Sequence, residues 1–170
     1  MMATNENEQV LVIGVGNEFR RDDAAGLHVA REIAKRTMPN VVVREESGEG
    51  AALMEAWREF DRVFVVDATA SGSATGTIHR LDPHEKPIPS EFFHYSTHAF
   101  SVAEAVELSR ELKQLPPILV VYGVEGQNFS AGQGLSESVR KSADVVTLRI
   151  QQEIREFVAP IDVPQPILGV

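Results

Sequence analysis

Three short runs with almost no polar interruption constrain this chain more than anything else in it: residues 10–13 (VLVI), 62–66 (RVFVV) and 117–124 (PILVVYGV). Their length suits strands rather than helices, and their lack of polar alternation means burial on both faces, as for interior strands of a parallel sheet. Between and after them lie stretches with helical spacing of apolar residues. Leu27, Ala30, Ile33 and Ala34 form one stripe, Leu53, Ala56 and Trp57 a second, and Val102, Ala105, Val106 and Leu112 a third. The last comprises Leu135, Val139, Ala143, Val146, Ile150 and Ile154, with Ser136 placed to cap its helix. Residues 41–43 read as a short strand near the sheet edge, and residues 77–81 as an extra strand. Strands alternating with helices predict an α/β fold, a three-layer α/β/α sandwich on a mostly parallel sheet of about five strands, with right-handed crossovers.

A chain of 170 residues with 43% hydrophobic and 24% charged residues suits one domain with a sizeable core. Residues 1–156 are expected to form that domain, and the Pro-rich residues 157–170 a loose tail. A formal charge of −9 opposes a protein that grips phosphate backbones, so no nucleic-acid partner is expected. There is no basic, then apolar leader and no apolar run long enough for a membrane span, which leads to the expectation of a cytoplasmic protein without membrane insertion. The oligomeric state stays open.

Chemistry-bearing residues collect where such a sheet binds ligands, outside the carboxyl ends of its strands. The first strand runs into a turn containing Gly14, Gly16 and Asn17, and Asp22 and Asp23 then open an amphipathic helix. Asp67 ends the third strand. His98 lies at or just before the start of a later helix, capped by Ser96, Thr97 or Ser101. Asp23, Asp67 and His98 thus converge on one rim as an O,O,N donor set suited to nickel or zinc with open coordination positions. With no cysteine in the chain, any metal must rest on His, Asp or Glu. Each residue also has a plain structural role available: helix-start acids for Asp22 and Asp23 (Asp22 the more so), a turn cap for Asp67, a half-buried histidine for His98. Glu18, Glu49, His79, His84 and His94 read as surface or loop residues.

The turn GVGN does not complete a dinucleotide fingerprint, because Phe19 stands where the third glycine belongs and Arg20 and Arg21 precede the helix, although Glu45 or Glu46 could serve as the ribose acid. Neither a P-loop nor a nucleophile elbow occurs.

With these residues in place, the chain resembles the nickel–iron hydrogenase maturation endopeptidases from about Val10 to about Ile154. Four ordered motifs carry the resemblance: GVGNEFRRDDAAG, VFVVDA, STHAFSVAEAVEL, and VVYGVEG followed by GLSESV. The resemblance implies an α/β/α sandwich that removes a short C-terminal extension from the hydrogenase large-subunit precursor after nickel insertion. It places the nickel-contacting positions on Asp23, Asp67 and His98. The metal would arrive with the substrate, so no permanent cofactor is expected, and zinc or cadmium could take its place in crystals. Ala24, where many relatives have glycine, and the turn SGEG at residues 47–50 depart from the family pattern, the second with a bearing on which large subunit is accepted. Metal-activated water is one source of the attacking oxygen. In a variant, Asp23 and Asp67 share a proton as an aspartic pair, which needs carboxylates roughly 3 Å apart. Two other readings of the strand and GVGN turn are a peptidyl-tRNA hydrolase-like enzyme and a non-enzymatic nucleotide-binding module.

Overall fold

The computed structural model describes residues 9–93 and 98–158. His94, the candidate caps Ser96 and Thr97, and residues 159–170 of the expected tail lie outside the described residues. Five strands, β1 (Val10–Val15), β2 (Val41–Glu46), β3 (Arg62–Thr69), β4 (Ile78–Leu81) and β5 (Ile118–Glu125), form one sheet in the order β2-β1-β3-β5-β4. All neighbours are parallel except β4, which runs antiparallel to β5. The helices are α1 (Ala25–Ala34), α2 (Gly50–Trp57), α3 (Val102–Glu111) and α4 (Glu137–Val158). Among the described residues no helix is long and apolar enough to cross a membrane.

Alternation along the strands sorts the core into two halves. Val10, Val12, Phe64, Val66, Val120 and Tyr122 point to one face, where α1 and α4 cover them through Val29, Ile33, Val139, Val146 and Ile150. Leu11, Ile13, Val63, Val65, Leu119 and Val121 point to the other, against Leu53, Trp57, Val102 and Val106 of α2 and α3. The expected three layers are therefore present, with β2 at an edge and β1, β3 and β5 inside. Full burial of each large side chain in these layers is worth roughly 1.5–3 kcal/mol.

Three boundaries differ from the expectation. Asp22 and Asp23 lie in a 3-10 turn (Arg21–Ala24), and α1 begins at Ala25. The backbone N–H groups of Arg21 and Asp22 are drawn to the carbonyls of Gly132 and Asn128, so this stretch is tied to a distant loop before the helix starts. β3 continues past Asp67 to Thr69, because Thr69 still pairs with Glu125 of β5. α4 runs through Val158, two residues beyond the expected boundary, and Phe157 packs on Phe64 with Arg62 over its ring.

The connection from β1 through α1 leads to β2 on one side, whereas β3 lies on the other, so the chain reverses its winding between β1 and β3. A crevice opens at such a switch point beyond the strand ends. Close packing seats α1 beside it. A Cβ on Gly26 of α1 would lie 2.1 Å from the Val66 carbonyl oxygen, so only glycine lets α1 settle across β1 and β3.

Candidate functional site

The crevice at the carboxyl ends of β1, β2 and β3 is a cleft of about 320 Å³, and Asp23, Asp67 and His98 all line it, together with Asn17, Arg20 and Phe93. The three residues singled out in the sequence are thus brought to one place from three separate elements.

Asp23 is delivered by the turn after β1. Gly16 (φ +149°) lies so close to it that a Cβ there would sit 2.0 Å from the Asp23 carbonyl oxygen. The Asp23 Oδ2 accepts the Asn17 N–H at 2.9 Å. Burial pushes this carboxyl up from its ordinary pKa, while the Asn17 N–H and the Arg20 charge pull it part of the way back. Asp67 lies two residues before the end of β3, with 6% of its surface exposed, and its Oδ1 accepts the Ala68 N–H at 2.8 Å. Burial raises its pKa well above the carboxylate range, the Asp23 charge adds to the rise, and the Ala68 N–H opposes it. Of the two acids, Asp67 is the one that holds its proton to higher pH. Each carboxyl takes a backbone N–H on one of its two oxygens.

His98 precedes α3, whose start is fixed by Glu104 accepting both the N–H and the hydroxyl of Ser101. Of the candidate caps, Ser101 occupies the N-cap position. The segment is tied to α2 by a 2.9 Å bond from the Gly50 N–H to the Phe100 carbonyl. Glu49, expected as a surface residue, caps α2 by accepting the N–H groups of Ala51 and Ala52 and lies near enough to His98 to feel its charge. Among the described residues, no three His, Cys, Asp or Glu side chains are set closely enough to hold a metal ion by themselves.

Two further buried carboxylates support the cleft from outside it. Asp22, fully buried, accepts the N–H groups of Gln127, Asn128 and Ser136 and the Ser136 hydroxyl, at 2.7–2.9 Å. Burial pushes its pKa up, but these four donors outweigh that and the net shift is downward. Ser136, expected to cap α4, spends its hydroxyl on Asp22. Glu125, 2% exposed, accepts from Thr69 Oγ1, Ser71 Oγ and the Gly72 N–H, which pins the chain as it leaves β3 beside the cleft. His79 is not a surface residue either. Its Nε2 lies 3.4 Å from Glu125 without hydrogen-bond geometry, and its ring stands edge-on to Phe92. Glu125 escaped sequence reasoning; its one local signal is an acid closing an otherwise apolar strand.

Comparison with known proteins then decides the family. The family model HycI, hydrogenase maturation protease, matches residues 27–153. The chain belongs to the hydrogenase maturation protease family. The matched span includes Asp67 and His98 and begins just after Asp23. Among related sequences, the hydrogenase 2 maturation protease of Escherichia coli K12 is 26% identical over 152 residues, covering 87% of this chain and 92% of that protein. The hydrogenase expression/formation protein HupD of Bradyrhizobium diazoefficiens is 26% identical over 127 residues, and the chain spans 66% of its length. The fold agrees with solved structures. The hydrogenase maturating endopeptidase HybD from E. coli superposes with a TM-score of 0.70 at 21% identity, covering 87% of this chain and 93% of that one. The protease HycI from Thermococcus kodakarensis gives a TM-score of 0.64 at 23% identity, with 87% and 93% covered. Membership in a maturation protease family makes the chain a hydrolase of peptide bonds and displaces the tRNA-hydrolase and nucleotide-module readings.

Proposed function

We propose that this chain is the endopeptidase that removes the C-terminal extension of a nickel–iron hydrogenase large-subunit precursor after nickel insertion, recognising the substrate-borne nickel through Asp23, Asp67 and His98. The observation that carries the proposal is the meeting of these three side chains in one cleft, with Asp67 and Asp23 close enough for the charge of one to alter the titration of the other.

Two carboxylates and an imidazole are a fitting donor set for nickel. A metal that arrives with ligands of its own needs only the open positions filled, so the three donors need not be preassembled at coordination distance. No resident cofactor is part of this reading, and zinc or cadmium would fit the same donors. Asp67 binds a cation as its carboxylate, so docking draws off the proton that burial and Asp23 favour. The cleft walls fix the peptide next to the metal, which polarises the carbonyl or lowers the pKa of a bound water. A cytoplasmic location, where the precursor would be met, belongs to the same proposal.

The test is processing of the large subunit in cells carrying Asp23→Asn or His98→Ala. Both variants should accumulate unprocessed precursor, and the wild-type enzyme should leave nickel-free precursor intact. Normal processing in both variants, or cleavage of nickel-free precursor at an unchanged rate, would overturn the assignment.

A further inference from the structure

We propose that the outer edge of β2 is a second substrate-binding site, at which an extended stretch of the polypeptide being cleaved pairs as a sixth strand. The inference rests on the protease reading above and extends it away from the metal-binding end of the cleft.

β2 is the terminal strand of the sheet and pairs with β1 along all six of its residues. The bonds at its two ends give its orientation. The Val10 N–H donates to the Asn40 carbonyl, and the Gly16 N–H donates to the Glu46 carbonyl, so even-numbered residues face β1. By the period of two, the N–H and C=O groups of Val43 and Glu45 face outward. Val41 also faces outward, but its N–H turns back to the Met38 carbonyl.

Terminal strands are commonly blunted by proline, lysine, a bulge or a covering element, since a bare row of donors and acceptors invites another strand. β2 has the sequence VVVREE, with no proline or lysine and an unbroken register against β1. Next to it lies a shallow cavity of about 290 Å³ lined by Ile33, Met38, Val41 and Val43 among others. Strand addition uses this combination: backbone bonds supply affinity, and pockets for alternate side chains supply selectivity.

Continuity with the cleft identifies the occupant. Glu45 and Glu46, at the carboxyl end of β2, line the cleft that holds Asp23 and Asp67. A strand added to β2 would lie three strand spacings, about 14 Å, from the line of β3 that carries Asp67, which about four extended residues bridge. The paired stretch therefore begins about four residues from the scissile bond, and the edge recognises apolar residues at alternate positions there.

The test compares wild type, Val43→Pro and Val43→Thr on nickel-loaded large-subunit precursor, with melting temperature as the fold control. Proline removes one outward donor and no bond to β1, a substitution that edge strands tolerate. Threonine keeps the donor and exchanges one pocket methyl for a hydroxyl. Val43→Pro should raise KM about tenfold with kcat within about twofold, and Val43→Thr should raise KM by clearly less than Val43→Pro. Independently of any variant, amide exchange at Val43 and Glu45 of the wild-type enzyme should slow in the presence of excess precursor. Unchanged KM for Val43→Pro and unslowed exchange, with cleavage intact, would overturn the edge site and leave the protease reading standing. A Val43→Pro effect confined to self-association would assign the edge to a second copy of this chain instead. Failure of wild type to cut the precursor at all would overturn both.

Discussion

Asp22 and Asp23 leave one 3-10 turn for different surroundings, and their pKa values move in opposite directions. Asp22 is clamped by four donors from residues 127–136 and shifts down; Asp23 faces the cleft, takes one backbone N–H and shifts up. Adjacent acids with such different partners divide the labour, one holding the loop and the other left available to a ligand.

Asp22→Ala should cost about 1–3 kcal/mol, because it leaves three part-buried N–H groups and the Ser136 hydroxyl without their acceptor. Asp22 has a depressed folded-state pKa, so its contribution is present above the ordinary carboxylate pKa and is lost as pH falls through the depressed value. Denaturation across the acid range should therefore show a flatter pH dependence for Asp22→Asn than for wild type. An Asp22→Ala protein as stable as wild type would remove the clamp from the account.

Asp67 has the opposite sign. Its raised folded-state pKa means the folded protein binds the proton more tightly than the unfolded chain, so the associated stability is present below the ordinary carboxylate pKa and is lost as pH rises through the raised value. Asp67→Asn, which cannot ionise, should melt higher than wild type at neutral pH, each gain of about 1 kcal/mol showing as roughly 2–4 °C in a chain of this size. The same variant should lose processing activity. A lower melting temperature than wild type would contradict the burial and charge argument.

The strands and helices were legible in the sequence because their signals are local and periodic. Uninterrupted apolar runs marked β1, β3 and β5 as interior strands, and the α4 stripe from Val139 to Ile154 is buried as its spacing predicts. The convergence of Asp23, Asp67 and His98 on one cleft was legible because the switch-point geometry of a parallel sheet sends strand ends to a common crevice. The clamp on Asp22, the pinning of the 69–72 turn by Glu125 and the 3-10 turn ahead of α1 were not. Each depends on contacts between segments more than fifty residues apart, made by loops and the last residues of strands, where no periodicity marks the partner.

Gly26→Ala tests the close approach of α1 to β1 and β3 beside the cleft. Its Cβ would meet the Val66 carbonyl oxygen at 2.1 Å and the Val15 carbonyl oxygen at 2.5 Å, and backbone atoms on both sides leave no flexible side chain to yield. The expected cost is about 1–3 kcal/mol from overpacking. Because α1 follows Asp23 directly and lies against the strand that carries Asp67, activity should fall further than stability alone explains. Chemical denaturation and processing assays on the same preparation separate the two effects.

Metal binding should be linked to proton release at Asp67. Burial and the Asp23 charge favour its neutral form, and a cation binds the ionised form, so the affinity for the nickel-loaded precursor should rise with pH until Asp67 is ionised in the free enzyme. Titration calorimetry in buffers of different ionisation enthalpy measures the protons released. Wild type should release more protons at the acid end of the range than Asp67→Asn, which should also bind at least about tenfold more weakly through loss of a ligand. Asp23→Asn removes the charge that helps hold Asp67 protonated, so it should weaken binding and also move the midpoint of the pH dependence downward. An affinity that does not vary with pH, together with equal proton release by wild type and Asp67→Asn, would exclude Asp67 as a ligand.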